Sequence, residues 1–286
     1  MTIIKRLKYD KLVHTPILIE ELKMTVQQEI QQKLDQIEED HQVHILYAFE
    51  SGSRAWGFES QDSDYDVRFL YVHHADWYLS VNLEHKRDVI ELPIDEVLDI
   101  NGWDLRKALK LMKKSNPALM EWLSSNIIYR QDDNFVTAMQ ELMQQYYSPK
   151  ACFYHYNHMA KGNFREYLRG GKVRIKKYFY VLRPLLAMQW LEKDLGIIPI
   201  KFDVMLNQLI PDGQLKQDIE DLIKQKKAGF EAKYADPIDS INVFIESELE
   251  RFSAYDNQLH APNRNYEAMN HLFRQFVSAY TQAKPL

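Results

Sequence analysis

The sequence predicts an α+β fold in two parts. Residues 1–130 are expected to form a small mixed sheet flanked by helices, and residues 131–286 an all-helical domain. Two apolar runs of strand length, 45–49 and 67–71, lie in the first part. Beyond the first part, apolar residues recur at helical spacing, and no Gly/Ser-rich linker separates the two parts. We therefore expect two domains that pack directly against each other.

The first part is predicted to begin with an amphipathic helix and two strands. Apolar residues at helical spacing indicate a helix over 17–40 that covers the sheet. The first strand is expected at 43–49 and the second at 64–72. A short helix between them carries Trp56 and Phe58, which we interpret as packing anchors.

The remainder of the first part is predicted to contain a loop, a hairpin, two helices and a last strand. The loop covers 73–77, where two adjacent histidines match no tetrahedral metal spacing. The hairpin strands flank a proline that interrupts the apolar pattern. The hairpin strands are expected at 87–92 and 96–100, and the two helices at 104–114 and from Pro117 onward. The last strand is expected at 126–129.

The second part is predicted to consist of helices alone. Each segment repeats apolar residues three and four positions apart, as one buried helix face requires. The predicted helices cover 132–147, 149–168, 172–194, 215–229, 238–259 and 265–283.

Composition excludes several classes of protein. No apolar run approaches the roughly 20 residues that span a bilayer, and the first residues lack the apolar core of a secretion signal. The single cysteine, Cys152, forms no disulfide within the chain and suits a reducing compartment. A net charge of −5 argues against bulk binding of nucleic acid. We expect a cytoplasmic protein with no membrane partner.

Two aspartates at the start of the second strand are the first candidate site. Side chains alternate along a strand, so Asp64 and Asp66 point to the same face. A divalent cation best relieves the repulsion between two such carboxylates. Mg²⁺ prefers one or two carboxylates together with substrate phosphates. About ten residues earlier, Gly52 and Ser53 form a turn whose amides and hydroxyl suit a phosphate.

These residues resemble the signature of the DNA polymerase β nucleotidyltransferase superfamily. The signature is a Gly-Ser pair, ten intervening residues and Asp-x-Asp, between two apolar strands. The longer string GSRAWGF…SDYDVRFLY is similar to a branch of predicted nucleotidyltransferases associated with RNA-repair genes. The resemblance extends over most of the first 200 residues, through the strings at 99–106, 116–117, 121–122, 176–178 and 183–184.

The resemblance implies a third carboxylate on a strand beside the Asp-x-Asp strand, just before a helix. Asp99 is our candidate, between Leu98 and Ile100. Asp104 competes with it, but Asp104 stands where a helix-start carboxylate interacts favourably with the helix dipole. The three aspartates Asp64, Asp66 and Asp99 would hold two Mg²⁺ ions, with Mn²⁺ as a substitute.

A basic segment is the candidate for contacts to the phosphates. Between residues 161 and 183 the chain has eight Lys or Arg residues and a single acidic residue, Glu166. A helix beginning near Lys172 would place Lys172, Lys176, Tyr180 and Arg183 on one stripe. A second stripe, assigned to the core, comprises Ile175, Phe179, Leu182 and Leu186.

Related enzymes supply a phosphate-binding lysine from their helical domain, which the resemblance here assigns to Lys172, Lys176 or Lys177. Tyr180 is expected near the nucleotide base. Arg54 and Arg68 contact phosphate or pair with the aspartates, and the sequence leaves both roles open.

The implied reaction is transfer of a nucleotide from a nucleoside triphosphate, ATP first, to an acceptor hydroxyl with release of pyrophosphate. An RNA end is the leading acceptor. A protein hydroxyl comes next, as in antitoxins that adenylylate a toxin's tyrosine, and then a small molecule. The alternative class is a nucleotide-binding regulatory protein that does not catalyse nucleotide transfer. Such a protein would be distinguished by an incomplete set of carboxylates.

Overall fold

The computed structural model of the protein describes residues 24–94, 97–230, 234–255 and 265–283. The strands are β1 Val43–Glu50, β2 Tyr65–His73, β3 Val89–Glu91, β4 Leu98–Asp104, β5 Ile128–Gln131, β6 Val173–Arg174 and β7 Tyr234–Ala235. The first helices are α1 Val26–His41, α2 Gly52–Trp56, α3 Ala75–Tyr78, α4 Leu105–Lys113 and α5 Pro117–Leu123. The later helices are α6 Asp133–Tyr146, α7 Pro149–Tyr167, α8 Ile175–Glu192, α9 Phe202–Leu209, α10 Gln214–Gln225, α11 Asp239–Ser253 and α12 Glu267–Ala283.

Five strands form one mixed sheet in the order β3-β4-β2-β1-β5. β1 runs antiparallel to both β2 and β5, whereas β2 and β4 are parallel, with Asp66 opposite Asp99. The expected hairpin is the antiparallel pair of β3 and β4. The α+β class is therefore confirmed, with the five-stranded sheet in the first part of the chain. The second part is mainly helical, but the prediction of helices alone was wrong, because β6 and β7 form a two-stranded sheet there.

Local sequence explains where the helices that flank the sheet begin. Thr25 and Gln28 form a capping box at the start of α1. The expected helix over 17–40 is thus present from Val26, and its first seven residues lie outside the described ranges. Asn116 caps α5, in which Pro117 occupies a first-turn position that needs no backbone N–H.

Three buried clusters organise the packing. One face of the sheet packs on α1, mainly through Ile30, Leu34 and Ile37. The opposite face packs on α4, α5, α6 and α12. A third cluster joins α7, α8, α9, α10 and α11 and also contains Phe58 from the segment after α2. Phe58 stacks on Phe179 with ring centroids 4.5 Å apart, which confirms Phe58 as a packing anchor.

Several predicted boundaries were wrong. Helix α8 begins at Ile175 rather than near Lys172, because Val173 and Arg174 pair with β7. Residues 75–78 form the short helix α3 instead of a loop. Helix α9 was not predicted, and the helix expected over 215–229 ends at Gln225 and continues as a π-helical turn.

Other boundaries agree more closely. The last strand of the first part runs from Ile128 to Gln131, two residues later than expected. The part of the predicted helix 238–259 that follows residue 255 lies outside the described ranges. Within those ranges, every helix falls short of the length and apolar character needed to span a bilayer.

Candidate active site

A cavity of about 510 Å³ opens at one end of the five-stranded sheet. That end carries the last residues of β1 and the first residues of β2, since the two strands are antiparallel. The opposite walls come from α5, α7 and α8. The predicted residues Gly52, Ser53, Asp64, Asp66 and Arg68 all line this cavity.

The turn after β1 lies directly against the Asp66 carboxylate. Gly52 has a φ of +59°, a left-handed conformation that glycine adopts without steric cost. A Cβ atom at this position would lie 1.9 Å from Asp66 Oδ2, so no side chain fits there. The Ser51 amide donates to the Asp66 carbonyl oxygen at 2.8 Å, which ties the turn to β2. The Gly-Ser turn and the Asp-x-Asp strand therefore form a single unit.

Arg68 bridges the carboxylates of Asp66 and Asp99. Its Nη2 lies 3.1 Å from Asp66 Oδ1 and 2.8 Å from Asp99 Oδ2. Its Nη1 donates to the carbonyl oxygens of Asp99 at 2.7 Å and Val67 at 3.0 Å. Of the two roles left open for Arg68, the structure thus shows pairing with the aspartates.

Charge and burial act together on Asp66. Burial raises the pKa of the Asp66 carboxyl, the Arg68 guanidinium lowers it, and the neighbouring charges of Asp99 and Asp64 raise it, with a net upward shift. A buried carboxylate with other carboxylates nearby gains from any further cation. The space around Asp66 and Asp99 is therefore suited to positive charge.

The same donors suit a hard divalent cation. Among the residues that the structure describes, no three His, Cys, Asp or Glu side chains are placed to hold one metal ion. Asp66 and Asp99 nevertheless share one cation, the Arg68 guanidinium, and Asp64 lies exposed in the cavity wall. Because Mg²⁺ is bound through one or two carboxylates plus substrate phosphates, these residues fit such an ion.

Asp99 and Asp104 lie on opposite faces of β4. They are five positions apart on a strand, and side chains alternate between the faces. Asp104 caps α4 by accepting from the Arg106 amide at 2.7 Å, and it also accepts from the Tyr78 hydroxyl at 2.7 Å. Burial raises the pKa of Asp104 to about 6. The geometry thus favours Asp99 as the partner of Asp66.

Three of the predicted residues of α8 reach the cavity. Lys176, Tyr180 and Arg183 line it. Lys177 lies instead over the rings of Tyr167, at 3.7 Å from the centroid, and Tyr180, at 4.8 Å. Lys176 is therefore the best placed of the predicted lysines to meet a phosphate.

The structure does not bring together the whole predicted stripe. Lys172 precedes α8 and pairs with the exposed Asp236 at 2.6 Å. Arg183 lines the cavity but is only 2% exposed, and its Nη1 lies 2.8 Å from Glu121 Oε1. Lys176, Tyr180 and Arg183 all line the cavity, and only Lys172 departs from the predicted stripe, because α8 starts three residues later than predicted.

Arg54 holds the chain between α2 and β2. Its Nη2 donates to the Ser63 carbonyl oxygen at 2.7 Å and its Nε to the Asp64 carbonyl oxygen at 3.2 Å. The guanidinium also lies 3.7 Å from the centre of the Tyr65 ring. These contacts are with backbone oxygens and an aromatic face, so Arg54 fixes the position of Asp64 without an ion pair to its carboxylate.

Sequence reasoning missed a buried polar cluster centred on Glu121. The carboxylate accepts from Arg183, from the Tyr156 hydroxyl at 3.0 Å and from the Trp56 indole at 3.2 Å. These residues come from four different helices and all line the cavity. Glu121 stood in one of the strings that carry the resemblance, but no local pattern indicated its partners.

Glu50 and Lys226 were also missed. Glu50, at the end of β1, accepts from the Asp66 amide at 2.9 Å and from the Tyr129 hydroxyl. Burial raises the pKa of Glu50 to about 7. Lys226 lines the cavity from the segment after α10, with Nζ 5.6 Å from the centre of the Phe58 ring. The position of Glu50 at the end of a buried strand was a signal that could have identified it from the sequence. Nothing in the sequence near Lys226 indicated that it lines the cavity.

The chain is similar to known proteins in sequence and in structure. The sequence profile described as "RNA repair pathway DNA polymerase beta family" matches residues 26–275. The uncharacterized protein YcgL of Bacillus subtilis (strain 168) is 49% identical over 240 residues, which cover 84% of this chain and 92% of that protein. A nucleotidyltransferase-like protein from Exiguobacterium sibiricum 255-15, of known crystal structure, is 12% identical with a TM-score of 0.29, covering 90% of this chain and 81% of that chain. At that TM-score no shared geometry is inferred.

Proposed function

Because the chain belongs to the RNA repair pathway DNA polymerase beta family, we propose that it is a metal-dependent nucleotidyltransferase acting on the end of an RNA. The single observation that carries this proposal is the in-register pairing of Asp99 with Asp66, which lines a cavity of about 510 Å³ beside the Gly52-Ser53 turn. One end of the sheet thus combines carboxylates, a turn whose amides can bind a phosphate, and a cavity large enough for a nucleotide.

The reaction is an in-line displacement at the α-phosphorus of the triphosphate. The acceptor hydroxyl oxygen forms a bond to that phosphorus while the bond to the bridging oxygen breaks. Pyrophosphate leaves with the electron pair of the broken bond, and the hydroxyl proton passes to water. Asp64, Asp66 and Asp99 would hold Mg²⁺ or Mn²⁺, which supplies Lewis-acid stabilisation of the phosphate charge and lowers the pKa of the acceptor hydroxyl.

The remaining groups bind and orient the nucleotide. Ser53 and the amides of the turn receive the terminal phosphate. Lys176, in the opposite wall, offsets the charge on the departing pyrophosphate. Tyr180, one helical turn further along α8, also lines the cavity and would contact the base. We propose ATP as the first nucleotide to test.

The test is transfer of label from each α-³²P nucleoside triphosphate with Mg²⁺, using total RNA or cell lysate as acceptor. We expect label in RNA, and its loss in Asp64→Ala/Asp66→Ala by at least a factor of about 1000, since the charge stabilisation at the phosphate is removed. The matched control is Asp62→Ala, which removes an exposed carboxylate two residues away, outside the cavity wall.

Each other outcome contradicts part of the proposal. Label in a protein band identifies a protein hydroxyl as the acceptor. Nucleotide binding without transfer to any acceptor assigns the chain to non-catalytic regulation. Equal transfer by the double variant and the control removes the aspartates from the mechanism.

A further inference from the structure

Basic and aromatic side chains alternate over the surface that leads out of the cavity. Three cations each lie over an aromatic ring there: Lys177 over Tyr167 and Tyr180, Arg169 over Phe164, and Arg174 over Tyr234. We call these seven residues the aromatic–basic strip. They come from the end of α7, the segment that follows it, the start of α8 and the short β6–β7 ladder.

One end of the strip lies in the cavity wall. Tyr180 lines the cavity, and its backbone carbonyl oxygen accepts from Asn163 Nδ2, another lining group, at 3.0 Å. Lys177 then joins Tyr180 to Tyr167. At the far end Arg174 stands opposite Tyr234 in the β6–β7 ladder. A chain bound along the strip would therefore end at the cavity.

The strip concentrates positive charge in a protein of net negative charge. The segment from residue 161 to 183 carries eight basic residues and one acidic residue, whereas the whole chain has a net charge of −5. Arg183 and Lys172 pair with carboxylates. Arg165, Arg169 and Arg174 are exposed to solvent. The remaining basic surface is thus local and borders the candidate active site.

This chemistry fits a single strand better than a duplex. Bases of a single strand are free to stack on aromatic rings, while Lys and Arg meet the phosphates between them. Tyr234 offers such a ring, since it is 62% exposed. A duplex hides its base faces and would gain only from the charges. A protein acceptor of acidic character would likewise have no use for the rings.

We propose that the aromatic–basic strip binds the single-stranded end of an RNA acceptor and leads its terminal hydroxyl to the cavity. This inference rests on the proposed function for its purpose, but the binding itself is measured without catalysis.

The experiment is fluorescence anisotropy of a labelled single-stranded 12-nucleotide RNA with the full chain, without nucleoside triphosphate. We expect Tyr234→Ala to weaken binding at least about fivefold, because a base–aromatic stack is lost. The matched control is Tyr266→Ala, which removes another tyrosine of similar exposure, 54%, that also lies under a lysine, Lys113 at 4.1 Å. Tyr266 lies outside the cavity wall and the strip, and its removal is expected to leave the affinity unchanged.

The charge contribution is tested by the salt dependence of the same binding. Removal of two phosphate contacts in Arg169→Ala/Arg174→Ala should reduce the slope of log affinity against log salt by about 1.4. Arg87→Ala/Arg106→Ala is the matched control, since it removes two arginines that pair with Glu91 and Glu84 instead. The control is expected to retain the wild-type slope.

Failure of the strip and failure of the proposed function give different results. Equal RNA affinity in the strip variants and their controls, or equal affinity for the duplex form of the same RNA, would overturn the strip. Titration with a non-hydrolysable ATP analogue reports the nucleotide site separately and should be unchanged in Tyr234→Ala and in Arg169→Ala/Arg174→Ala, which keep Tyr180. If analogue binding is lost in Asp64→Ala/Asp66→Ala but retained in the strip variants, a failure of the nucleotide site is distinguished from a failure of the strip.

Discussion

At Gly52 the backbone passes so close to Asp66 that a single methyl group would displace the carboxylate. The Cβ of an alanine would meet Asp66 Oδ2 at 1.9 Å and Cγ at 2.8 Å. It would also force a side chain into a φ of +59°. The first effect acts on the position of a proposed metal ligand, and the second acts on stability alone.

Gly52→Ala is therefore expected to reduce label transfer about 100-fold, as for a displacement of about 1 Å at a reacting centre. It should also lower the free energy of unfolding by about 1–3 kcal/mol through backbone strain. The control is Gly57→Ala, with a φ of +87° but no heavy atom within 4 Å of the added Cβ. Gly57→Ala should lose similar stability and keep its activity. Similar activity losses in both variants would show that strain, not displacement of Asp66, is responsible.

At the scale of elements, the junction of β4 and α4 buries a carboxylate whose charge opposes folding. Asp104 is 3% exposed, and burial raises its pKa from 3.8 to about 6. The folded protein therefore holds the Asp104 proton more tightly than the unfolded chain does. This contribution to stability is fully present below pH 3.8 and is lost as the pH rises through about 6.

We expect the stability of the wild type relative to Asp104→Asn to fall by roughly 3 kcal/mol between pH 4 and pH 7, since one pKa unit is worth about 1.4 kcal/mol. Urea unfolding of both proteins at each pH gives this difference directly. Asp35→Asn is the control, because Asp35 is 67% exposed and pairs with Arg130 on the surface. A pH-independent difference for Asp104→Asn would show that Asp104 keeps its ordinary pKa in the folded protein.

The elements that sequence reasoning located well are those specified by local patterns. The apolar runs predicted the boundaries of β1 and β2 to within a few residues. The proline between β3 and β4 did the same for those two strands. The start of α8 depends on pairing between Arg174 and Tyr234, sixty positions apart, and no local pattern reports it.

The same distinction holds for the candidate site. Asp64 and Asp66 were found because their spacing and the turn before them form one local motif. Glu121 was missed because its partners Trp56, Tyr156 and Arg183 are distant in sequence and meet it only through packing. The roles of Lys172 and Lys176 could not be separated until the start of α8 was known.

At the scale of the whole molecule, the last described helix belongs to the core of the sheet. α12 packs its apolar face in the same cluster as the sheet, α4 and α6, and the Ala75 amide donates to Thr281 Oγ1 at 2.9 Å. Tyr280 stacks on His44 with centroids 5.4 Å apart. The buried residues of α12 are Met269, Leu272, Phe276, Val277 and Tyr280. The last described helix thus packs with the sheet of the first part of the chain.

A chain ended after residue 264 is expected to lose cooperative unfolding by urea, followed by circular dichroism. Five buried side chains at about 1.5–3 kcal/mol each amount to on the order of 10 kcal/mol, which matches the roughly 5–15 kcal/mol by which a typical domain is stable. Phe276→Ala in the full chain should cost about 3–5 kcal/mol and remain cooperative. Val243→Ala, on a residue that is 66% exposed, should cost less than about 0.5 kcal/mol. The opposite outcome is cooperative unfolding of the shortened chain at wild-type stability. It would mean that the core of the sheet of residues 1–130 is complete without α12. The predicted boundary near residue 130 would then divide two independent domains.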